Sequence, residues 1–234
     1  SPYEDHLVKG DPSTVYQRIS HFLGTMSVEE CVSSAIQWKV PIGRMNKIPD
    51  FVEHEHTKAR GFMVDVEHPV IGPYKAPGAP AIYSASPWKI QRPAPTLNQH
   101  TSSVLAELEN PPGQTIKDPK YDMPKQQVES AQDGLPLEGI RVLDLSKAWA
   151  GPFAARFLGD FGADVIRVES FLFPDYRALN RHPNQGVWYR SNAMYAEINR
   201  NKRSITLDLH TEDGRALFKR LIVESDLLVE NFHY

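Results

Sequence analysis

The chain has one cysteine, Cys31, among its 234 residues, so no internal disulfide can form and a reducing, cytoplasmic setting is expected. Cys31 falls in an apolar helical pattern, which favours a buried, inert thiol over a nucleophile. There is no surplus of positive charge. Lys and Arg number 26 against 29 Asp and Glu, for a net charge of −3, which argues against nucleic acid or an anionic membrane surface as partner. No apolar run approaches the roughly 20 residues of a membrane helix, and the opening SPYEDHLVKG is not a signal peptide. A metal-ligand spacing is missing too. His54 and His56 stand two apart, so on a helix they face different ways, and no metal is expected. The fingerprint G-x-G-x-x-G is also absent, since Gly151 stands alone in its loop. A plain nicotinamide site is thereby disfavoured, although an open helix N-terminus can still meet a phosphate.

The composition is that of an ordinary globular protein, 41% apolar and 24% charged, long enough for one large domain or two small ones. The most informative stretch runs from Leu135 to Glu169. Ile140, Val142 and Leu143 suit a buried strand. Lys147 to Pro152 form a loop, with Pro152 fitting the first helical position. Phe153, Phe157, Leu158 and Phe161 recur at helical spacing as one apolar face. Gly162 is placed to end the helix in a left-handed conformation. Ala163 to Val168 form a second strand that stops at Glu169. This is a βαβ unit, the building block of a doubly wound sheet, whose ligands bind beyond the carboxyl ends of its strands. Here that locus holds Lys147 to Gly151, Glu169 and Ser170.

The remainder is read in order. A helix is expected over Thr14 to Leu23. Ser27 and Glu30 form a capping box that opens a second helix ending near Trp38. A further helix is expected from Lys47 to Lys58, a strand over Phe62 to Val66, and a turn at His68 to Pro73 leading into a hairpin. Residues 73 to 96 are proline-rich and extended. Asn98 to Glu109 resumes a helix. Gln114 to Gly134 has almost no aliphatic residues and is taken as a linker with a domain boundary inside it. After Glu169 a long polar and aromatic loop covers Phe171 to Arg190. Ile205 to Leu209 is a strand, Thr211 caps a helix, and Leu227 to Val229 is another strand. Lys202 and Arg203 are weighed as phosphate partners against the plainer alternative of a solvated surface. An α/β domain stopping at Tyr234 lacks its next helix, so the C-terminus is expected to be premature. The fold class is therefore α/β: a Rossmann-like parallel sheet in the C-terminal half and a smaller α+β segment in the N-terminal half. The expected domains are 1–110, a 111–134 linker, and 135–234.

Three segments resemble the N-terminal part of family III CoA-transferases, the CaiB/BaiF or formyl-CoA transferase family. They are Leu137 to Asp144 with Ala150-Gly151-Pro152, Gly162 to Glu169, and Asn201 to Leu209 with Val229-Glu230-Asn231-Phe232. Val28 to Leu108 resembles the family's C-terminal part. The order is thus inverted: C-terminal part, linker, N-terminal part. That is similar to the junction of a tandem two-repeat member, such as the dimethylsulfoniopropionate CoA-transferase. A permuted chain is the other explanation.

The resemblance implies chemistry in which an aspartate carboxylate attacks an acyl-CoA thioester, an aspartyl-CoA thioester follows, and CoA passes to a carboxylic acid. The family's aspartate lies downstream of the segment matching Glu230 to Phe232. No catalytic residue is therefore assigned in this chain, and the chain alone is expected to be inactive. Coenzyme A is implied as a substrate, with acyl-CoA and a small carboxylic acid as partners and no metal. A homodimer or intertwined assembly is implied, without nucleic acid or membrane. Position by position, the resemblance implies CoA contacts at Trp149, Ala150, Ser170, Leu207, Asp208, Leu209, His210, Asn231, Phe232 and His233. Trp149 stands where the formyl-CoA enzyme has a glutamine, Ser170 where it has an arginine, and His210 where a lysine is common. Against this enzyme reading stands a non-catalytic fragment or subunit that pairs with transferase halves.

Overall fold

The computed structural model describes residues 12–86, 88–109, 134–173, 175–178 and 192–233. The chain divides into two compact units, Ser1–Arg60 and Gly61–Tyr234. The division falls between Arg60 and Gly61, and the 111–134 stretch expected as a linker lies, up to residue 133, outside the described residues. No described helix is long and apolar enough to cross a membrane.

The first unit is helical: α1 Pro12–Gly24, α2 Val28–Trp38, α3 Ile48–Glu53 and α4 Glu55–Ala59. The capping box forms as the sequence predicts. Ser27 Oγ accepts from Glu30 N at 3.2 Å, and Ser27 N donates to Glu30 Oε2 at 2.8 Å. The single helix expected from Lys47 to Lys58 is instead two, because His54 adopts an extended conformation and its ring Nδ1 accepts from His56 N at 3.2 Å. That imidazole starts a new helix instead of continuing the old one. Among the described residues of this unit only Ala35 and Thr57 are buried, and Cys31 is half-buried.

The second unit opens with an antiparallel hairpin, β1 Met63–His68 and β2 Gly72–Pro77, in register from Met63↔Pro77 to His68↔Gly72. An extended, proline-rich segment leads to α5 Thr101–Glu109. Next come β3 Arg141–Asp144, α6 Ala150–Asp160, β4 Asp164–Glu169, a 3-10 turn at Asp175–Ala178, α7 Ala193–Asn199, β5 Lys202–Thr206, α8 Glu212–Val223 and β6 Leu227–Val229.

The four strands β3 to β6 form one parallel sheet in the order β5-β4-β3-β6. In strand number along the chain this is 3-2-1-4, the arrangement of a Rossmann-like half, and its direction of winding switches between β3 and β6. Alternating residues bury both faces. Leu143, Ile166, Val168, Ile205 and Leu207 pack with Val104 of α5 and Leu221 of α8. Val142 and Val165 pack with Ala155 of α6 on the other side.

Three local expectations shift. β5 is Lys202–Thr206, not Ile205 to Leu209. Its polar residues are sheet-forming because their charges are paired in the interior. Its outer edge is also covered: His100 N donates to Ser204 O at 2.9 Å and Ser204 N to His100 Nδ1 at 3.1 Å. Pro152 is the third residue of α6, where a missing N–H still costs nothing. The buried face of α6 is small, with Gly151, Ala155 and Gly159, while Phe153, Phe157 and Phe161 are only half-buried. Gly162 takes φ +105 after the helix as predicted, and a Cβ there would lie 2.5 Å from Leu135 Cβ.

The segment 61–109 is bound to the sheet by ions. Glu107 of α5 and Asp164 of β4 each pair with both Arg141 and Arg203, at 2.6–2.9 Å. Arg200 joins Asp160 at 2.7 Å and also donates to Pro77 O.

Candidate functional site

A cavity of about 460 Å³ opens at the carboxyl edge of the parallel sheet. Every strand of the sheet supplies part of its lining. Leu145 and Lys147 lie just past β3, while Val168, Glu169, Ser170 and Phe173 come from the end of β4 and beyond. Leu207, Leu209 and His210 lie past β5, and Phe232 past β6. The walls are mostly aliphatic and aromatic.

The loops around the cavity are clasped by side chains. Asn231 accepts from Lys147 N at 2.7 Å and donates to Lys147 O at 3.0 Å, joining the β3 and β6 loops across the switch point. Ala148 has φ +57, and its N–H donates to Asp175 Oδ1 at 3.1 Å. Lys147 Nζ donates to Phe173 O at 3.1 Å, so the β3 and β4 loops hold each other as well. Gly151 closes the floor of this corner. A Cβ there would lie 2.4 Å from Ser146 Cβ and 3.0 Å from Asn231 Cγ. The ring of Phe173 stacks near His210, centroids 6.4 Å apart, and His210 Nδ1 lies 3.1 Å from Asp208 Oδ1.

Beneath the loops lies a buried polar network on the α6 face of the sheet. Asp144 is fully buried and meets Lys202 Nζ at 2.8 Å and Arg167 Nη1 at 3.0 Å. Burial pushes its carboxyl up, but Lys202 and Arg167 outweigh that and hold it well below the usual range. Burial brings Lys202 down to about 8, against the pull of Asp144. Lys202 also donates to Pro152 O at 2.7 Å and Asn199 Oδ1 at 2.9 Å, fixing the start of α6 and the end of α7. Arg167 spans Asp144 and Asp175, the latter at 2.9 Å. Neither phosphate partner nor solvated surface therefore describes Lys202 and Arg203; both are spent on internal carboxylates.

Glu169, which lines the cavity, is already saturated. Arg177 reaches both its oxygens, at 2.6 and 2.8 Å, Tyr195 OH donates at 3.0 Å, and Ser204 Oγ donates as well. Burial raises its pKa, and Arg177 together with Arg167 and Ser204 brings it below the ordinary value. The guanidinium of Arg177 lies 3.5 Å from the Tyr195 ring centroid and donates to Pro95 O at 2.9 Å.

Of the ten residues the sequence marks, the structure brings Ser170, Leu207, Leu209, His210 and Phe232 together on the cavity wall. Asn231 stands behind it as the clasp. Asp208 orders the turn before α8, accepting from His210 N at 3.0 Å and, through its backbone O, from Thr211 Oγ1 at 2.8 Å. Trp149 is elsewhere: it stacks on Phe153 at 6.0 Å and meets Tyr176 edge-on at 6.3 Å. Ala150 is the first residue of α6, and His233 is exposed on the β6 loop. Sequence reasoning missed Leu145, Val168 and Phe173 as lining residues. The strand-edge rule already pointed to Lys147 and Glu169, but not to their roles. Among the described residues no group of three or more His, Cys, Asp or Glu is placed to hold a metal.

The sequence model of CoA-transferase family III matches residues 5–101 and 137–234. The alpha subunit of succinyl-CoA–L-malate CoA-transferase of Chloroflexus aurantiacus is 36% identical over 132 residues, covering 56% of this chain and 29% of that protein. Formyl-CoA:oxalate CoA-transferase of Escherichia coli is 40% identical over 98 residues, covering 42% of this chain and 23% of that protein. A solved CAIB/BAIF family protein from Brucella suis aligns at 41% identity and TM-score 0.38, covering 43% of this chain and 26% of that one. The chain thus spans under a third of the length of these relatives. The family model meets most of the sequence, on both sides of the 111–134 stretch, and the chain belongs to CoA-transferase family III.

Proposed function

We propose that this chain is the CoA-holding portion of a family III CoA-transferase. The parent reaction moves CoA from an acyl-CoA to a small carboxylic acid through an aspartyl-CoA thioester. The observation that carries this reading is the cavity at the carboxyl edge of the 3-2-1-4 sheet, at its switch point, where α/β sheets take nucleotide ligands. Its apolar walls suit a pantetheine arm. The nucleophilic aspartate is assigned to sequence outside these 234 residues. In support, the buried acids Asp144, Asp160 and Glu169 are each committed to one or more cations and none is free to attack a thioester. We read the two separate matches to one family model as a junction of two repeats, the C-terminal part of one followed by the N-terminal part of the next, with a permuted chain as the alternative that fits them equally.

A second reading, a non-catalytic subunit that pairs with transferase halves, draws on an apolar groove of about 410 Å³ within the first unit. It is lined by Ile19, Phe22, Leu23, Met26, Trp38 and their neighbours. Calorimetric titration with CoA separates the two readings: saturable binding supports the first, and no heat at millimolar CoA supports the second. An assay of CoA exchange between an acyl-CoA and a free acid tests the missing nucleophile, for which the 234-residue chain is expected to show none.

A further inference from the structure

We propose that Lys147 is the anion-recognising residue of the carboxyl-edge cavity, taking a phosphate or carboxylate oxygen of a ligand whose apolar portion lies along Leu145, Leu207 and Phe232. The proposal rests on the CoA-site reading and adds to it the group that supplies the charge.

Three observations carry it. Among the described residues that line the cavity, Lys147 is the one lysine or arginine and Glu169 the one acid. Glu169 offsets the ammonium only in part, because Arg177, Tyr195 and Ser204 occupy its oxygens and Arg177 balances its charge; Asp144 and Asp175, which also face Lys147, are shared with Arg167. The cavity therefore presents one ammonium on an apolar wall, with no described carboxylate of the lining hydrogen-bonded to it.

The second observation is that the ammonium is only lightly used. Its one hydrogen bond among the described residues goes to Phe173 O, a neutral carbonyl, at 3.1 Å. An ammonium has three donors, so two remain for a ligand. Lys202, Arg167, Arg177 and Arg203 are all deeper and paired with carboxylates.

The third is pre-organisation. The backbone of Lys147 is fixed on both sides by the Asn231 carboxamide, and the next N–H is fixed by Asp175. A cation held on a rigid loop loses less entropy on binding than one on a free loop, so more of its attraction appears as affinity.

The test is calorimetry on the 234-residue chain with CoA, pantetheine, acetyl-CoA and succinyl-CoA, in the wild type, Lys147→Gln and Lys147→Arg. A lost charge-assisted contact corresponds to about a ten- to hundredfold weakening. If the partner is phosphate, Lys147→Gln weakens CoA by that factor and leaves pantetheine, which has no phosphate, within about twofold. If it is a carboxylate, Lys147→Gln weakens succinyl-CoA by that factor and leaves acetyl-CoA unchanged. In either case Lys147→Arg keeps most of the affinity, and the melting temperature of both variants stays near wild type. Unchanged binding of all four ligands in Lys147→Gln overturns the proposal while leaving the CoA site standing. Equal losses in the Arg and Gln variants overturn it too, since charge would not be the cause. A wild type that binds none of the four removes the CoA site and this proposal together.

Discussion

Asn231 turns both ends of its carboxamide to the backbone of Lys147, accepting from the N–H at 2.7 Å and donating to the C=O at 3.0 Å. These residues lie 84 positions apart, and the contact spans the point where the sheet changes winding direction. Only an amide has a donor and an acceptor on one flat group of this size; a carboxylate would set an acceptor against the carbonyl. Asn231→Asp is therefore expected to weaken CoA binding about tenfold through the displaced β3 loop, at a cost in stability of about 1 kcal/mol. Wild-type affinity in that variant, read by calorimetry, would remove Asn231 from the site's support.

Gly151 packs where no side chain fits. Gly151→Ala places a methyl 2.4 Å from Ser146 Cβ, and both neighbours are anchored, Ser146 by its hydrogen bonds to Asp144 and Asn231 by the clasp. The expected loss is about 1–3 kcal/mol in urea unfolding, with weaker CoA binding as the β3 loop shifts.

Acid should unfold the second unit in a defined way. Asp144 and Glu169 have folded pKa values below their unfolded values near 3.8 and 4.5. Groups depressed in this direction add stability that is fully present above the unfolded pKa and lost as pH falls through the folded one. The urea midpoint should hold down to about pH 4.5 and then drop steeply. Glu169→Gln should flatten that drop while lowering the midpoint at neutral pH, since it leaves Arg177 without its charge partner. An equal slope in variant and wild type would contradict the assignment.

Glu107 tests a different region. It joins α5 to the amino edge of the sheet through Arg141 and Arg203, away from the cavity. Glu107→Ala should cost about 1–3 kcal/mol of stability, because two arginines lose a partner, and should leave CoA affinity within about twofold. A large change in affinity would mean that the two edges are coupled.

The elements with strong local signals were legible in the sequence. The Ser27 cap, the βαβ unit and the Gly162 turn arise from side-chain chemistry within a few residues; the strand-edge rule led to Lys147, Glu169 and Ser170, and the family resemblance to Leu207, Leu209, His210 and Phe232. Long-range pairing was not legible. Lys202 and Arg203 look like phosphate partners or solvated surface until Asp144, Glu107 and Asp164 arrive from distant parts of the chain, and only then do they belong to a strand. The same reason hid the cohesion of residues 61–109 with the sheet. The aromatic residues of α6 misled for another reason: close helix–sheet approach selects small side chains, so periodicity in large ones marked the outer flank. Phe173 had no signal, since its place depends on a backbone contact with Lys147.

The most direct test of the cavity is amide hydrogen exchange with and without saturating CoA. The account predicts slower exchange at Lys147 and Ala148, Ser170 to Phe173, Leu209 and His210, and Phe232, with no change around Glu107 and Arg141. Protection confined to the amino edge of the sheet, or none at all under saturating CoA, would contradict it.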